Sequence, residues 1–168
     1  MKNILTKLSI VFALVLLVAC SGNNEDPSAV VDQFITLGNK GEMEEAYKLV
    51  CKKDQEKISL DIFKAQAEQL KNPIIQEFVA KAEHKIVDTQ IDGDTAVVTV
   101  DQQLPDLAKI MQASVQVAMK NPNLKDQNEA LKAVLDEFNG DVPMVNKTIK
   151  YNVFKEDGAW KVEFPKMF

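Results

Sequence analysis

The chain has 168 residues and a net charge of −5, and all 20 of its basic residues are lysine. An acidic balance argues against nucleic-acid binding, and the lack of arginine removes the bidentate clamps it makes on phosphate and carboxylate. Two cysteines, six scattered glycines and one histidine supply no C-x-x-C pair, phosphate-binding loop or multi-histidine cage, so neither cofactor nor metal is expected.

Lys2 and Lys7 frame an apolar run from Leu8 to Ala19, broken only by Ser9 and with no acidic residue before position 20. As a helix those residues span roughly 18 Å, well short of a hydrocarbon core of about 30 Å. Residues 1–19 therefore read as a cleavable signal peptide and not as a membrane span. Leu17-Val18-Ala19-Cys20 closes that signal and resembles the lipobox of bacterial lipoproteins. The resemblance implies a diacylglyceryl thioether on Cys20, cleavage before it, and acylation of the new amino group by a fatty acid such as palmitate. Several acyl chains anchor stably where one does not, so a membrane is the expected partner. The expected location is the cell envelope. With Ser21 after the cysteine, it is the outer membrane facing the periplasm if the host has two membranes. Residues 20–26 form a lipidated tether, of which Ser21 to Glu25 reach at most about 20 Å.

Residues 27–168 read as one domain. Asp26 is placed to cap a helix with Pro27 at its first position, carrying Val30, Phe34 and Leu37 inward and stopping at Gly38. A second helix follows Gly41 with Met43, Ala46, Tyr47 and Val50 on one side, which puts Cys51 near its end as a buried, inert thiol. Ser59 is placed to cap a third, with Phe63, Ala67 and Leu70 inward. Asn72-Pro73 reads as a stop and a restart, since Ile74, Ile75, Phe78, Val79 and Ala82 resume the helical spacing. His84 stands where helix passes into strand and reads as a surface or capping residue.

The period then becomes two. Residues 85–91 and 95–102 flank Asp92-Gly93-Asp94, and residues 148–154 and 159–164 flank Glu156-Asp157-Gly158, two strong hairpin signals. In the second pair Ile149, Tyr151, Val153, Trp160, Val162 and Phe164 form one apolar set, opposite Lys150, Asn152, Lys161 and Glu163. Such alternation indicates an antiparallel sheet covered on one face. Between the hairpins, residues 105–140 form a helical insertion. Its first helix is expected to turn Leu107, Ile110, Met111, Ser114 and Ala118 inward, and its second Leu131, Val134, Leu135 and Phe138. The two helices are expected to close over the mouth of the sheet as a lid, with a groove for a partner as the alternative. Met111, Met119 and Met144 read as core fillers.

The order of elements is α+β: N-terminal helices packed on a curved antiparallel sheet, with a two-helix insertion between the hairpins. Val30, Val31, Phe34, Gly41-Glu42 and Ala46-x-x-Leu49 resemble the opening of nuclear transport factor 2-like, or cystatin-like, domains. Tyr151-x-Val153 and Asp157-Gly158-x-Trp160-Lys161-Val162 resemble the closing hairpin of their small lipoprotein branch, a family of unknown function. The resemblance implies a cone-like sheet with an apolar interior, and the insertion departs from that plan. Phe34, Tyr47, Phe63, Tyr151 and Trp160 are the candidate lining residues. Isomerase chemistry would need a carboxylate inside the cone beside a tyrosine. Asp88, Asp101 and Glu163 read as outward or edge residues, so no catalytic residue is assigned. The reading is a non-enzymatic, membrane-anchored binding or accessory domain for a small apolar ligand or an envelope protein. The alternatives are an isomerase- or dehydratase-like enzyme using the cone, and a structural interaction protein whose cone is filled by its own side chains.

Overall fold

Asp26 accepts a hydrogen bond from the Ser28 N–H at 2.8 Å, and Pro27 takes the first helical position, where no donor is required. This cap starts α1, Pro27–Asn39, and the chain turns away at Gly41, whose φ of 73° favours a residue without Cβ. The computed structural model describes residues 26–68, 71–124 and 126–165. Cys20, the rest of the signal and tether before Asp26, and Leu70 lie outside the described residues.

Helix α2, Met43–Lys48, stops earlier than the apolar spacing implies. Leu49, Val50 and Cys51 instead run beside β4, Ala159–Val162, through a parallel bridge between Val50 and Val162. The Val162 N–H donates to the Leu49 carbonyl at 2.8 Å, and the Cys51 N–H to the Val162 carbonyl at 2.9 Å. Cys51 therefore precedes α3, Lys52–Gln55, and does not sit near the end of the second helix. The residue is 1% exposed, and burial pushes its thiol pKa up, which keeps it protonated and poorly nucleophilic. The Ser59 hydroxyl accepts from the Ile62 N–H at 3.4 Å ahead of α4, Leu60–Glu68. Asn72 accepts from the Ile74 N–H at 2.9 Å and caps α5, Pro73–Val79.

The sheet is a four-stranded antiparallel meander, curved and unclosed, of β1 (Glu83–Asp92), β2 (Thr95–Pro105), β3 (Met144–Glu156) and β4. Asp157 and Gly158 both have positive φ, 51° and 83°, as a two-residue turn matching the strand twist requires. Val98, Val100, Tyr151, Val153, Trp160 and Val162 form the inner face and are buried against Val30, Val31 and Ile35 of α1 and Leu49. Each fully buried valine contributes roughly 1.5–3 kcal/mol. Ile86 pairs with Val100 and Asp88 with Thr99, so Val87 is an extra, unpaired residue, a bulge in β1.

Two helices stand between β2 and β3, α6 (Leu107–Lys120) and α7 (Gln127–Glu137). Ile110, Ala113 and Val117 of α6 pack with Val134 and Leu135 of α7, with Phe138 just past its end, with Phe78 of α5 and with Val142 in a second apolar cluster. Of the expected inward face of α6, only Ile110 joins this cluster. Leu107, Met111 and Ala118 are exposed, while Ser114 is half-buried and donates to the Ile110 carbonyl at 2.8 Å. The cause lies in the composition of α6, which is apolar on two sides, so that helical spacing alone does not choose between them. The short side chains of Ala113 and Val117 took the crowded side. Met144 packs on the second cluster as expected, whereas Met111 and Met119 are 70% and 80% exposed.

Candidate functional site

Helix α1 packs on β1, β2 and β4 and leaves an opening where β1 begins and β2 ends. The opening is a cleft of about 170 Å³, walled by Phe34, Ile35 and Gly38 of α1, by Leu104 of β2 and by Tyr151 of β3. Glu83, His84 and Gln102 add polar groups to the same cleft. A more open hollow of about 400 Å³ touches those three residues from the other face of the sheet, where Lys85, Asp101, Gln103 and Thr148 alternate with the inward set. The cleft itself has an apolar end, at Phe34, Ile35 and Leu104, and a polar end, at His84 and Gln102.

Gln102 is the unusual residue. It follows Val98 and Val100 at strand spacing, so the pleat turns its amide inward, where it is only 5% exposed. Its Nε2 donates to the Tyr151 hydroxyl at 2.8 Å, a buried bond that satisfies the amide nitrogen. Accepting that bond leaves the tyrosine's own O–H to donate. Burial raises the Tyr151 pKa, against a smaller opposite effect of the Gln102 bond, so the hydroxyl stays neutral at physiological pH. In the next strand over, His84 pairs in register with Gln102 and lies 2.9 Å, through Nε2, from the Asp32 carboxylate of α1. That bond ties α1 to the first strand beside the cleft.

The five candidate lining residues are divided by the structure. Phe34 and Tyr151 line the cleft and meet edge to face at 6.5 Å. A row of rings leads away from them: Phe34 to Phe164 at 6.5 Å, Phe164 to Phe63 at 5.4 Å, and Phe63 to Tyr47 at 5.5 Å. Phe63 and Tyr47 thus belong to a packed aromatic layer behind the cleft. The Tyr47 hydroxyl donates to the Ile58 carbonyl at 2.8 Å and is turned away from it. Trp160 lies in the sheet core with the Lys155 ammonium 5.7 Å from its ring centre. None of the residues lining the cleft comes from α6 or α7, so the insertion is not a lid over it. Among the described residues, neither tyrosine hydroxyl bonds a carboxylate; Asp101 instead accepts from the Thr148 hydroxyl at 2.6 Å.

Gln102 and His84 line the cleft although the apolar pattern of the sequence marks neither, and Asp32 stands beside them through its bond to His84. Strand parity with Val98 and Val100 is the signal that marks Gln102, because an amide at an inward position needs a partner. Nothing local marks Asp32, which finds His84 only through the fold. Among the described residues, no group of three or more His, Cys, Asp or Glu is placed to hold a metal ion, and no helix is long and apolar enough to cross a membrane.

The fold and site define a small α+β domain with one mixed cleft between its first helix and its sheet. No family model matches the chain, and no curated protein matches it either. Among solved structures it is similar to a candidate lipoprotein, ycdA, of Bacillus subtilis, at 16% identity and a TM-score of 0.38. The similarity covers 74% of this chain and 52% of the other, so the chain spans about half the length of that protein.

Proposed function

We propose that this chain is a lipid-anchored protein of the bacterial cell envelope, and that its domain binds a small ligand in the cleft without transforming it. The observation that carries the binding role is the buried Gln102–Tyr151 bond, set in a cleft that joins apolar walls to the polar side chains of Asn39, Glu83 and His84. Ligand sites are concave, with a few placed polar groups among apolar walls, and at about 170 Å³ this cleft is below the usual range of roughly 300–1,000 Å³, which restricts it to a ligand of few heavy atoms. The donor and acceptor left over on these two side chains suit a ligand with an apolar body and one polar end. Among the described residues neither tyrosine meets a carboxylate base, which favours binding over isomerase or dehydratase chemistry. Leu17-Val18-Ala19-Cys20 supports the anchor, and Ser21 supports the outer membrane in a host with two membranes. One packed helix followed by an antiparallel meander is in keeping with a nuclear transport factor 2-like or cystatin-like domain.

Gly38 provides the test of the cleft. It lies in the cleft wall, and a Cβ built there meets nothing within 4 Å. Gly38→Leu should fill the apolar end and, by removing a helical glycine, raise stability by up to about 1 kcal/mol. The full chain, released by detergent from its own host's membranes, is weighed by native mass spectrometry. A small-molecule adduct is expected on the unaltered protein and not on the folded Gly38→Leu variant. Equal adducts on both, or none on either, would remove the cleft from consideration as a ligand site. The anchor is tested separately by fatty-acid labelling, which should mark Cys51→Ala and leave Cys20→Ala unmarked. Label on Cys20→Ala would overturn the anchor.

A further inference from the structure

Gln102 is 5% exposed, yet only the nitrogen of its amide is satisfied. Its Nε2 donates to the Tyr151 hydroxyl, and among the described residues nothing donates to its Oε1. No described side chain has a polar atom sealed from solvent without a partner, so this oxygen is one that the cleft leaves within reach. The Tyr151 O–H, in a residue 4% exposed, is a donor without an acceptor among the described residues. His84 stands opposite Gln102 in β1, at a register position where side chains lie about 5 Å apart. A carboxylate only accepts, so the His84 Nε2 carries the hydrogen in its bond to Asp32. The neutral ring, which lines the cleft, then holds a bare Nδ1, an acceptor with no donor among the described residues.

The geometry points to a small neutral molecule with a primary carboxamide as the ligand of this cleft, an inference that rests on the cleft being a binding site as proposed above. The ligand's carbonyl accepts from the Tyr151 hydroxyl, and its two N–H groups donate to the Gln102 Oε1 and the His84 Nδ1. One donor and two acceptors in the cleft thus meet one acceptor and two donors, and no buried group is left unpaired. Other head groups leave one over. A hydroxyl has a single hydrogen for the two acceptors. An ammonium offers no acceptor to the Tyr151 O–H. A carboxylate offers no donor to either acceptor, and it would meet the charges of Glu83 in the cleft and of Asp32 bonded to His84. No lysine lines the cleft to offset them; Lys147, the register partner of Gln102 on β3, is exposed and not among its walls. The apolar body is short. At roughly 30 Å³ for each water of the liquid, a cleft of about 170 Å³ holds on the order of six non-hydrogen atoms. Three of them are the carboxamide, which leaves about three carbons against Phe34, Ile35 and Leu104.

Isobutyramide has that composition and is the probe. Isobutyrate, isobutylamine and isobutanol keep its branched body and change the head group. The chain carries its own reporters. His84 is its one histidine, and its two tyrosines are Tyr151 in the cleft and Tyr47 turned away from it. The full chain, isotope-labelled at histidine and tyrosine, is titrated with each probe in detergent and followed by nuclear magnetic resonance. Isobutyramide should shift the His84 and Tyr151 signals, leave Tyr47 in place, and bind roughly tenfold tighter than the other three, the cost of one unpaired buried group. Gln102→Met, which keeps the length of the side chain, should bring its affinity down to theirs, and Gly38→Leu should abolish binding. The Tyr47 signal reports whether each variant is folded; where Gln102→Met is not, the ranking on the unaltered chain decides alone. Equal or tighter binding of any other probe, lost in Gly38→Leu, would overturn the carboxamide and leave the cleft a ligand site. Silence from all four probes would also overturn the carboxamide, and the adduct on the unaltered protein would then decide the cleft. A shift by isobutyramide that survives in Gly38→Leu would put the probe elsewhere and overturn the carboxamide as well.

Discussion

Asp54 carries a charge where little water reaches it, with the whole residue 5% exposed. Its two oxygens accept from the Lys57 ammonium and from the Phe164 N–H, each at 2.8 Å, so one carboxylate joins α3 to the chain beyond β4. Burial acts to raise its pKa, but Lys57 and the Phe164 N–H together outweigh that effect, and the carboxyl lies below its ordinary value. A lowered folded-state pKa gives stability that is present above the unfolded pKa and lost as pH falls through the folded one. Asp54→Asn should therefore cost about 1–3 kcal/mol in urea unfolding at pH 7, a gap that narrows steadily below about pH 4. A gap independent of pH would mean that the carboxylate's charge is not what matters. Trp160 and Lys161 make a second pair of measurements. Trp160→Ala should cost roughly 3–5 kcal/mol, because the ring is 4% exposed in the sheet core. Lys161→Ala should cost less than about 1 kcal/mol, losing one bond from its ammonium to the Lys48 carbonyl at 2.7 Å. Similar costs at the two positions would contradict the strand register.

At the scale of elements, the parts legible in the sequence are those with local chemistry. Asp26-Pro27, Ser59 and Asn72-Pro73 mark helix starts because a cap needs only a side chain and the N–H groups just after it. The two hairpins announce themselves through their Gly93-Asp94 and Asp157-Gly158 turns, in which Gly93, Asp157 and Gly158 take positive φ. Three things depend on distant partners and were not legible. Leu49, Val50 and Cys51 are too few to show a period, and only β4 makes them part of the sheet. The side of α6 that is buried was decided by Val134, Phe78 and Val142, none of which lies in its own sequence window. The Gln102–Tyr151 pair joins residues 49 positions apart. The two apolar clusters also predict uneven stability. Val134 is 1% exposed, and Val134→Ala should cost about 2–3 kcal/mol. Its effect on hydrogen exchange should be largest in α6 and α7, with β2 and β3 keeping most of their protection. Uniform loss of protection would show that the two clusters unfold as one.

The whole molecule is a meander with two outer strands, and each is finished differently. The short β4 is covered by the parallel bridge from Val50, so it offers little free backbone. The ten-residue β1 has no strand beyond it and carries the Val87 bulge in its middle. Deleting Val87 would keep every other side chain of β1 on its present face, since Ile86 and Thr89 would still point inward with Asp88 outward between them. The fold does not require the extra residue for register. What the bulge does is bend a row of open donors and acceptors out of line, and a bent row is a poor template for another chain. The Val87 bulge is thus expected to limit edge-to-edge stacking between molecules. The deletion variant should keep its circular dichroism spectrum and thermal midpoint nearly unchanged while light scattering rises faster with concentration. A variant that unfolds, or one that stays as soluble as the parent, would show that the extra residue serves the strand itself.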